Sequence, residues 1–242
     1  MQFPRTTEVM GVVNCAGKGM SPTSNETLDE MIDANVEVAR ACIRAALNHD
    51  VPLVHLGSAM EAIDGRTGPY VLTKRMASEL VHAGRGNGGE GLRAVQLSLH
   101  NVYGPGLKGV VTDMVKQHLL GRPAQLRQPT AVRDFVFVSD VAGAVLRALE
   151  LGDHPEPIPI GTGVGASIAG VAEIVSNFSG IQPPWTSDTT IENQEIAFSL
   201  VADTETASQA LDWRSSVDLQ HGAEAVFDGI ASLNEVGRFG EP

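Results

Sequence analysis

The stretch Val51-Pro52-Leu53-Val54-His55-Leu56-Gly57-Ser58 is followed by Pro69-Tyr70-Val71-Leu72-Thr73-Lys74, and these two stretches decide the fold. The first contains a continuous apolar run, which is typical of a strand whose sheet is covered on both faces. The second places Tyr70 and Lys74 at positions i and i+4, on one face of a helix. A buried strand followed by such a helix predicts an α/β fold.

Strand-like and helix-like segments alternate along the rest of the chain. We predict a strand over residues 8–15 and a helix over residues 24–48 that Ser24 caps. Such alternation predicts a parallel sheet with right-handed crossovers. Prolines and short elements increase from about residue 155, which predicts a core over residues 1–154 and a small substrate-binding lobe over residues 155–242, packed on the core.

Composition narrows the class of function. The chain has 242 residues, a net charge of -12, and two cysteines that we interpret as free thiols. The acidic charge argues against nucleic acid or an anionic membrane as a partner. The sequence shows no apolar run long enough for a membrane span, no secretory leader and no metal-binding spacing of His and Cys, so we expect a cytoplasmic protein without a metal.

Tyr70, Lys74 and Ser58 carry the chemistry of the sequence. A lysine ammonium beside a phenol favours the phenolate and lowers the tyrosine pKa, which makes Tyr70 a usable acid or base near neutral pH. Ser58, at the end of the preceding strand, can hold the substrate oxygen that gains or loses the proton. The alternative interpretation is an amphipathic helix with a surface lysine and a half-buried tyrosine.

The chain resembles the extended short-chain dehydrogenase/reductases, the NAD-dependent epimerase/dehydratase family, most of which act on nucleotide sugars. The resemblance covers nearly the whole chain. The motifs that carry it are Val12-Val13-Asn14-Cys15-Ala16-Gly17, Asn35, His55-Leu56-Gly57-Ser58-Ala59, Pro69-Tyr70 through Lys74, His100-Asn101-Val102-Tyr103-Gly104-Pro105-Gly106, Arg133-Asp134-Phe135 through Val141, Ile160-Gly161-Thr162-Gly163 and Ala210-Leu211-Asp212-Trp213.

The resemblance implies roles for particular residues. Ser58, Tyr70 and Lys74 match the catalytic residues of the family. Asn101 and Arg133 match residues that face the substrate, and Arg133 suits a bound diphosphate. The residues that would line the ribose and nicotinamide of NAD or NADP are Cys15, Ala16, Gly17, Asn35, Tyr70, Lys74 and His100.

The sequence also departs from the family pattern. The family begins with a βαβαβ module that holds the glycine-rich cofactor loop, and we find no match to it, so we predict a Rossmann-like doubly wound parallel sheet that lacks this module. Ser98 and Asn193 stand at or near positions where members keep arginines. The pattern Gly161-x-Gly163-x-x-Ala166 follows a strand and opens a helix, but we do not interpret it as a dinucleotide site because no acidic residue follows at the expected distance.

Without that module, the strand over residues 8–15 becomes the edge of the sheet. We therefore expect a partner to cover the edge, either a second copy in a homo-oligomer or a separate chain.

Three functions remain open at this point. The first is an epimerase, dehydratase or reductase that uses NAD or NADP with an eroded cofactor site and acts on a nucleotide sugar or a related small metabolite. The second is a cofactor-independent enzyme in which Ser58, Tyr70 and Lys74 perform acid–base chemistry in an elimination, isomerisation or cyclisation. The third is a non-catalytic partner subunit.

Overall fold

The computed structural model describes residues 8–19, 27–63, 65, 68–86, 91–187 and 199–235. The strands, in chain order, are β1 (Val12–Asn14), β2 (Leu53–Ser58), β3 (Ala94–Leu99), β4 (Asn101–Tyr103), β5 (Ala124–Leu126), β6 (Val132–Phe137), β7 (Ile158–Ile160), β8 (Gly165–Ser167), β9 (Trp185–Ser187) and β10 (Ser199–Leu200). The α-helices are α1 (Leu28–Met31), α2 (Val38–His49), α3 (Pro69–Gly84), α4 (Val110–Leu119), α5 (Val138–Leu151), α6 (Ile168–Ser179), α7 (Glu205–Leu211) and α8 (Leu219–Glu235).

The chain divides into two compact units, each built from three stretches. Unit 1 comprises Met1–Leu99, Gly143–Ile160 and Glu205–Trp213. Unit 2 comprises His100–Ala142, Gly161–Thr204 and Arg214–Pro242. The boundary that we predicted near residue 154 falls inside the second stretch of unit 1, and the division into a core and a substrate lobe stays a prediction.

Unit 1 contains a parallel sheet with the strand order β1-β2-β3-β7. The central strand β2 pairs along its whole length with β3, from Leu53 beside Ala94 to Ser58 beside Leu99. Leu53 and Val54 are fully buried, as the apolar run predicted. The predicted Rossmann-like parallel α/β architecture is thus confirmed.

The first strand is an edge of this sheet, as predicted, because among the described residues β1 pairs only with β2. It is shorter than the predicted strand over residues 8–15. Pairing begins where Val12 meets Leu53, and the Val12 N–H donates to Pro52 O over 2.9 Å. Residues 8–11 precede this register and therefore have no β2 residue beside them.

Helix α1 begins with a capping box at Thr27, and Ser24, the predicted cap, lies outside the described residues. Thr27 accepts a hydrogen bond from the Glu30 N–H, and the Glu30 side chain accepts one from the Thr27 N–H. A π-helical segment, Ile32–Glu37, joins α1 to α2 and contains the buried Asn35. Such π-helical segments frequently occur at functional sites.

Unit 2 packs α4, α6 and α8 around an apolar core that includes Val115, Val171 and Val226. Its sheet has the order β10-β6-β4, with β8 antiparallel to β6, and β5 pairs with β9. Across the described ranges, no helix has the length and apolarity that crossing a membrane requires.

Candidate active site

Ser58, Tyr70 and Lys74 come together in unit 1. Ser58 ends β2, whereas Tyr70 and Lys74 lie in the first two turns of α3, which begins with Pro69 at its N-terminus. The Ser58 hydroxyl lies near enough to the Tyr70 phenol to lower its pKa by hydrogen bonding. The Lys74 Nζ donates to the Leu56 carbonyl oxygen over 2.6 Å. The strand end and the helix start thus bring these side chains together in unit 1, and their catalytic roles stay a prediction.

The electrostatics of the tyrosine differ from the prediction. Burial raises the pKa of Tyr70, and this effect outweighs the Ser58 hydrogen bond, which lowers it; the charge of Glu61 raises it further. The prediction that Lys74 lowers the Tyr70 pKa is therefore wrong. Burial also lowers the Lys74 pKa, against the charge of Glu61, because the charged form of each group loses solvation inside the protein.

Except for His100, the residues predicted to line a cofactor lie in unit 1, and Asn35 meets the loop at the carboxyl end of β1. Asn35 Oδ1 accepts from the Lys18 N–H over 2.7 Å, and Asn35 Nδ2 donates to Lys18 O over 3.2 Å. Ala16 N donates to Asn14 Oδ1 over 3.2 Å. The loop of Cys15, Ala16 and Gly17 is therefore held by two buried asparagines, and Cys15 lies exposed on it.

Gly17 keeps the space between this loop and α3 open. A Cβ at Gly17 would lie 3.4 Å from Asn35 Oδ1 and 3.8 Å from Lys74 Nζ, so a larger residue would cover both polar groups. One of the three Lys74 N–H donors is used by Leu56, which leaves donors for ligand hydroxyl groups. The Lys74 ammonium, the Asn35 amide and the Gly17 backbone, which carries no side chain, fit the ribose of a nicotinamide cofactor.

His100, Asn101 and Arg133 belong to unit 2. His100 precedes β4, Asn101 begins β4, and Arg133 lies in β6. The Arg133 Nη1 donates to the Val132 carbonyl oxygen over 2.8 Å. The roles predicted for these three residues stay predictions. Asn193, which stands near a position where family members keep an arginine, lies outside the described residues.

Sequence reasoning missed His55 in the middle of β2. His55 is 1% exposed, and its Nδ1 lies 3.0 Å from Asn14 Nδ2. Burial, with a smaller contribution from the Lys74 charge, lowers the pKa of His55 to about 3, so the imidazole is neutral at ordinary pH. The signal that could have found it is a histidine inside an apolar strand.

The turn around Gly161 and Gly163 binds a carboxylate of the protein itself. The Thr162 N–H and the Gly163 N–H each donate to the fully buried Asp134 over 2.8 Å, and Ala202 N donates to it over 3.2 Å. The backbone N–H groups of Thr162 and Gly163 are thus occupied by Asp134, which argues against a dinucleotide site at this glycine pattern. In the described part of the chain, no group of three or more His, Cys, Asp or Glu side chains is arranged to hold a metal ion.

A parallel α/β sheet with a serine at one strand end and a tyrosine–lysine pair on the next helix defines the short-chain dehydrogenase/reductase class. The chain belongs to the NAD dependent epimerase/dehydratase family, whose model matches residues 1–161. It is 32% identical to dTDP-6-deoxy-L-talose 4-dehydrogenase (NAD(P)(+)) of Kitasatospora kifunensis over an alignment of 197 residues, which covers 70% of this chain and 59% of that protein.

A second relative and a solved structure are also similar to this chain. A putative UDP-glucose 4-epimerase of Methanocaldococcus jannaschii is 28% identical over 172 residues, covering 69% of this chain and 54% of that protein. The chain thus spans little more than half the length of the Kitasatospora kifunensis and Methanocaldococcus jannaschii proteins. UDP-glucose 4-epimerase of Thermotoga maritima, solved with UDP-glucose, has the same fold, with a TM-score of 0.81 at 21% identity over 93% of this chain and 78% of that chain.

Proposed function

We propose that this chain is an NAD(P)-dependent epimerase/dehydratase-type enzyme that acts on a nucleotide sugar or a related small metabolite. The observation that carries the proposal is that Ser58, at the end of β2, meets Tyr70 of α3, with Lys74 one turn further along the same helix. A proton-transfer site needs a hydroxyl acid or base, a group that orients the substrate oxygen, and a nearby cation. All three stand at one end of the unit 1 sheet.

The names of the relatives support the substrate class. One relative is named for a dTDP-sugar and another for UDP-glucose. Both names describe sugars attached to a nucleoside diphosphate, and Arg133 is a residue type that binds diphosphates through two parallel hydrogen bonds. We assign Asn101 and Arg133 to the substrate by this resemblance. We also propose a cytoplasmic location and no requirement for nucleic acid, membrane or metal.

Each residue of the site has a distinct part in the proposed chemistry. Ser58 holds the substrate hydroxyl or carbonyl oxygen through its own hydroxyl group. Tyr70 Oη gives or takes the proton on that oxygen. Lys74 and Asn35 hold the ribose of the cofactor, beside the loop of Cys15, Ala16 and Gly17. When bound, NAD(P) supplies the acceptor and donor of hydride.

Calorimetric titration of NAD⁺, NADH, NADP⁺ and NADPH into the purified chain tests the proposal. We expect binding in the micromolar range, lost in Lys74→Met and in Gly17→Val, which fills the space beside Asn35. Lys116→Met is the matched control, because Lys116 is an exposed lysine in the other unit. Binding that survives both unit 1 substitutions would contradict the assigned cofactor residues.

The same experiment separates the second candidate, a cofactor-independent acid–base enzyme. The observation that favours this candidate is the Ser58–Tyr70 pair, because two such hydroxyl groups can move a proton without a cofactor. Turnover of a nucleotide sugar without any bound NAD(P) would establish it. If the chain neither binds NAD(P) nor turns over a nucleotide sugar, the non-catalytic partner subunit is the remaining candidate.

We also propose that the outer edge of β1 is covered by another polypeptide, with a second copy of this chain as the occupant to test first. Within the described residues this edge has no strand beside it, and Met10 just before it is 85% exposed. Leu149 of α5 lies against Gly11, and its neighbours Leu146 and Leu151 are exposed. An apolar surface next to an open strand edge is typical of an interface.

Light scattering after size exclusion tests this edge. Because the Val12 N–H points to β2, the Val13 N–H points outward, and Val13→Pro removes that donor without touching the β1–β2 pairing. We expect a particle larger than the 25.5 kDa chain for the parent and a monomer for Val13→Pro. A parent that is monomeric at micromolar concentration would rule out a second copy, and a separate chain would then be sought.

A further inference from the structure

The short turn after β2 carries a carboxylate that no motif singled out. Glu61 Oε1 accepts a hydrogen bond from the Ser58 N–H over 2.6 Å, and the Ser58 Oγ accepts one from the Met60 N–H over 3.3 Å. These bonds form a capping box over the turn Ala59–Ala62. Glu61 thus contacts the backbone of the residue whose hydroxyl meets Tyr70.

The other carboxylate oxygen is held by α3 and β3. Glu61 Oε2 accepts from Ser78 Oγ over 2.6 Å, and Ser78 Oγ accepts from Gln96 Nε2 over 3.0 Å. The Arg75 guanidinium donates to Glu61 O and to the Ile63 carbonyl oxygen, each over 2.7 Å. The Glu61 side chain and backbone are therefore fixed from two elements of unit 1.

Gly57 leaves the room that this arrangement needs. A Cβ at Gly57 would lie 3.0 Å from Gln96 Nε2 and 3.1 Å from Glu61 Oε1, which is tighter than nine in ten real Cβ contacts. The Glu61 carboxylate and the Gln96 amide therefore pack closely against Gly57, the residue before Ser58.

We propose that Glu61 is a positioning residue: its carboxylate, braced by Ser78, fixes Ser58 so that the Ser58 hydroxyl stays in hydrogen-bonding reach of Tyr70. This inference rests on the proposed function for its catalytic meaning, but the geometry that it predicts does not require a substrate or a cofactor. A carboxylate that only capped the turn would add stability and leave the Ser58–Tyr70 bond unchanged when it was removed.

The composition of the chain offers a direct readout of that bond. The chain has two tyrosines, so Tyr103→Phe leaves Tyr70 as the only one. The NMR signal of the hydroxyl-bearing ring carbon, in protein made with isotopically labelled tyrosine, then reports hydrogen bonding of the Tyr70 phenol at neutral pH. In this background Ser58→Ala should shift the Tyr70 signal, because it removes the bond.

The decisive comparison is the effect of Ser58→Ala with and without Glu61. In Glu61→Ala we expect Ser58→Ala to cause no further shift, because Ser58 is already displaced. In Glu61→Gln we expect the full shift, because the amide oxygen can still accept from the Ser58 N–H. The matched control is Glu79→Ala, an exposed glutamate on α3, which should also leave the full shift.

An equal Ser58→Ala shift in the Glu61→Ala and parent backgrounds would overturn the proposal. Circular dichroism of each variant shows whether it folds. If Glu61→Ala does not fold, Ser78→Ala takes its place: the shift caused by Ser58→Ala should then be smaller than in the parent, and an undiminished shift would overturn the proposal. Failure of NAD(P) binding would instead contradict the proposed function and leave this result intact.

Discussion

Asn35 Nδ2 donates a hydrogen bond to Thr73 Oγ1 over 2.9 Å, between residues that lie 38 positions apart in the chain. The side chain of the same asparagine is hydrogen-bonded to both the backbone N–H and the backbone carbonyl oxygen of Lys18. Thr73 in turn donates to the Pro69 carbonyl oxygen over 2.8 Å. One buried amide therefore ties the loop after β1 to the first turn of the helix that carries Tyr70 and Lys74.

Replacing this amide should loosen the site and the unit together. For Asn35→Ala we expect a loss of about 1–3 kcal/mol in the free energy of unfolding, because buried polar partners are left without hydrogen bonds. Denaturant unfolding measures the loss, and cofactor titration should show weaker binding. Asn48→Ala, at an exposed position of α2, is the control and should stay near parental stability.

Tyr70→Phe should abolish turnover with little change in stability. Loss of a positioned acid or base costs roughly 10²–10⁴-fold in rate. Because burial raises the Tyr70 pKa, the parental rate in the direction that needs a base should rise with pH over the range below that raised value. The pH profile of kcat measures this limb, which should vanish in Tyr70→Phe and persist in Tyr103→Phe. Unchanged activity in Tyr70→Phe would remove this residue from the mechanism.

His55 should make the protein acid-sensitive. Its pKa is about 3 when folded and near 6.5 when exposed, so only the unfolded state binds this proton between those values. The contribution of His55 to the free energy of unfolding is therefore fully present above pH 6.5. It is lost as the pH drops towards 3, by an amount on the order of 4 kcal/mol.

The test compares the slopes of unfolding free energy against pH. In His55→Gln the loss between pH 6.5 and acid should be shallower, since the amide cannot titrate. His49→Gln removes an exposed histidine at the end of α2 and should keep the parental slope. If the free energy of unfolding of His55→Gln depends on pH as steeply as that of the parent, the buried imidazole is not the source of the acid sensitivity.

Asp134 should be the most sensitive carboxylate of unit 2. It is fully buried and accepts hydrogen bonds from Thr162, Gly163 and Ala202. For Asp134→Ala we expect a loss of at least about 3 kcal/mol, because buried donors lose a charged acceptor. Thermal or denaturant unfolding measures it, with the exposed Asp113→Ala on α4 as the control. A loss no larger than the control's would show that water replaces the carboxylate.

The sequence predicted the elements whose signals are local. The apolar run of β2 and the Tyr70–Lys74 spacing on α3 both led to real elements in the right order. Strands of two or three residues such as β4, β8 and β10 were missed, since they are too short to show an alternating pattern. Strand β1 is shorter than predicted because its ends depend on where β2 begins.

The sequence predicted which side chains meet at the end of β2 but not their electrostatics. Ser58, Tyr70 and Lys74 could be singled out because Tyr70 and Lys74 lie four positions apart and Ser58 ends an apolar strand-like run. The direction in which the Tyr70 pKa is shifted could not be predicted, because the burial of this side chain depends on residues far away in sequence. Glu61 was missed for the same reason: its partners Ser78 and Gln96 reach it only after β2, α3 and β3 have folded together.

The two compact units are interleaved along the chain, since each is assembled from three stretches. A break at almost any interior position therefore removes part of one unit from its remaining stretches. Exchange of unit 2 for that of a relative would require three matched segments, Gly161–Thr204 among them, to be transplanted at once. Diversification of unit 2 in such a chain is accordingly expected through point substitutions, with recombination of contiguous blocks disfavoured.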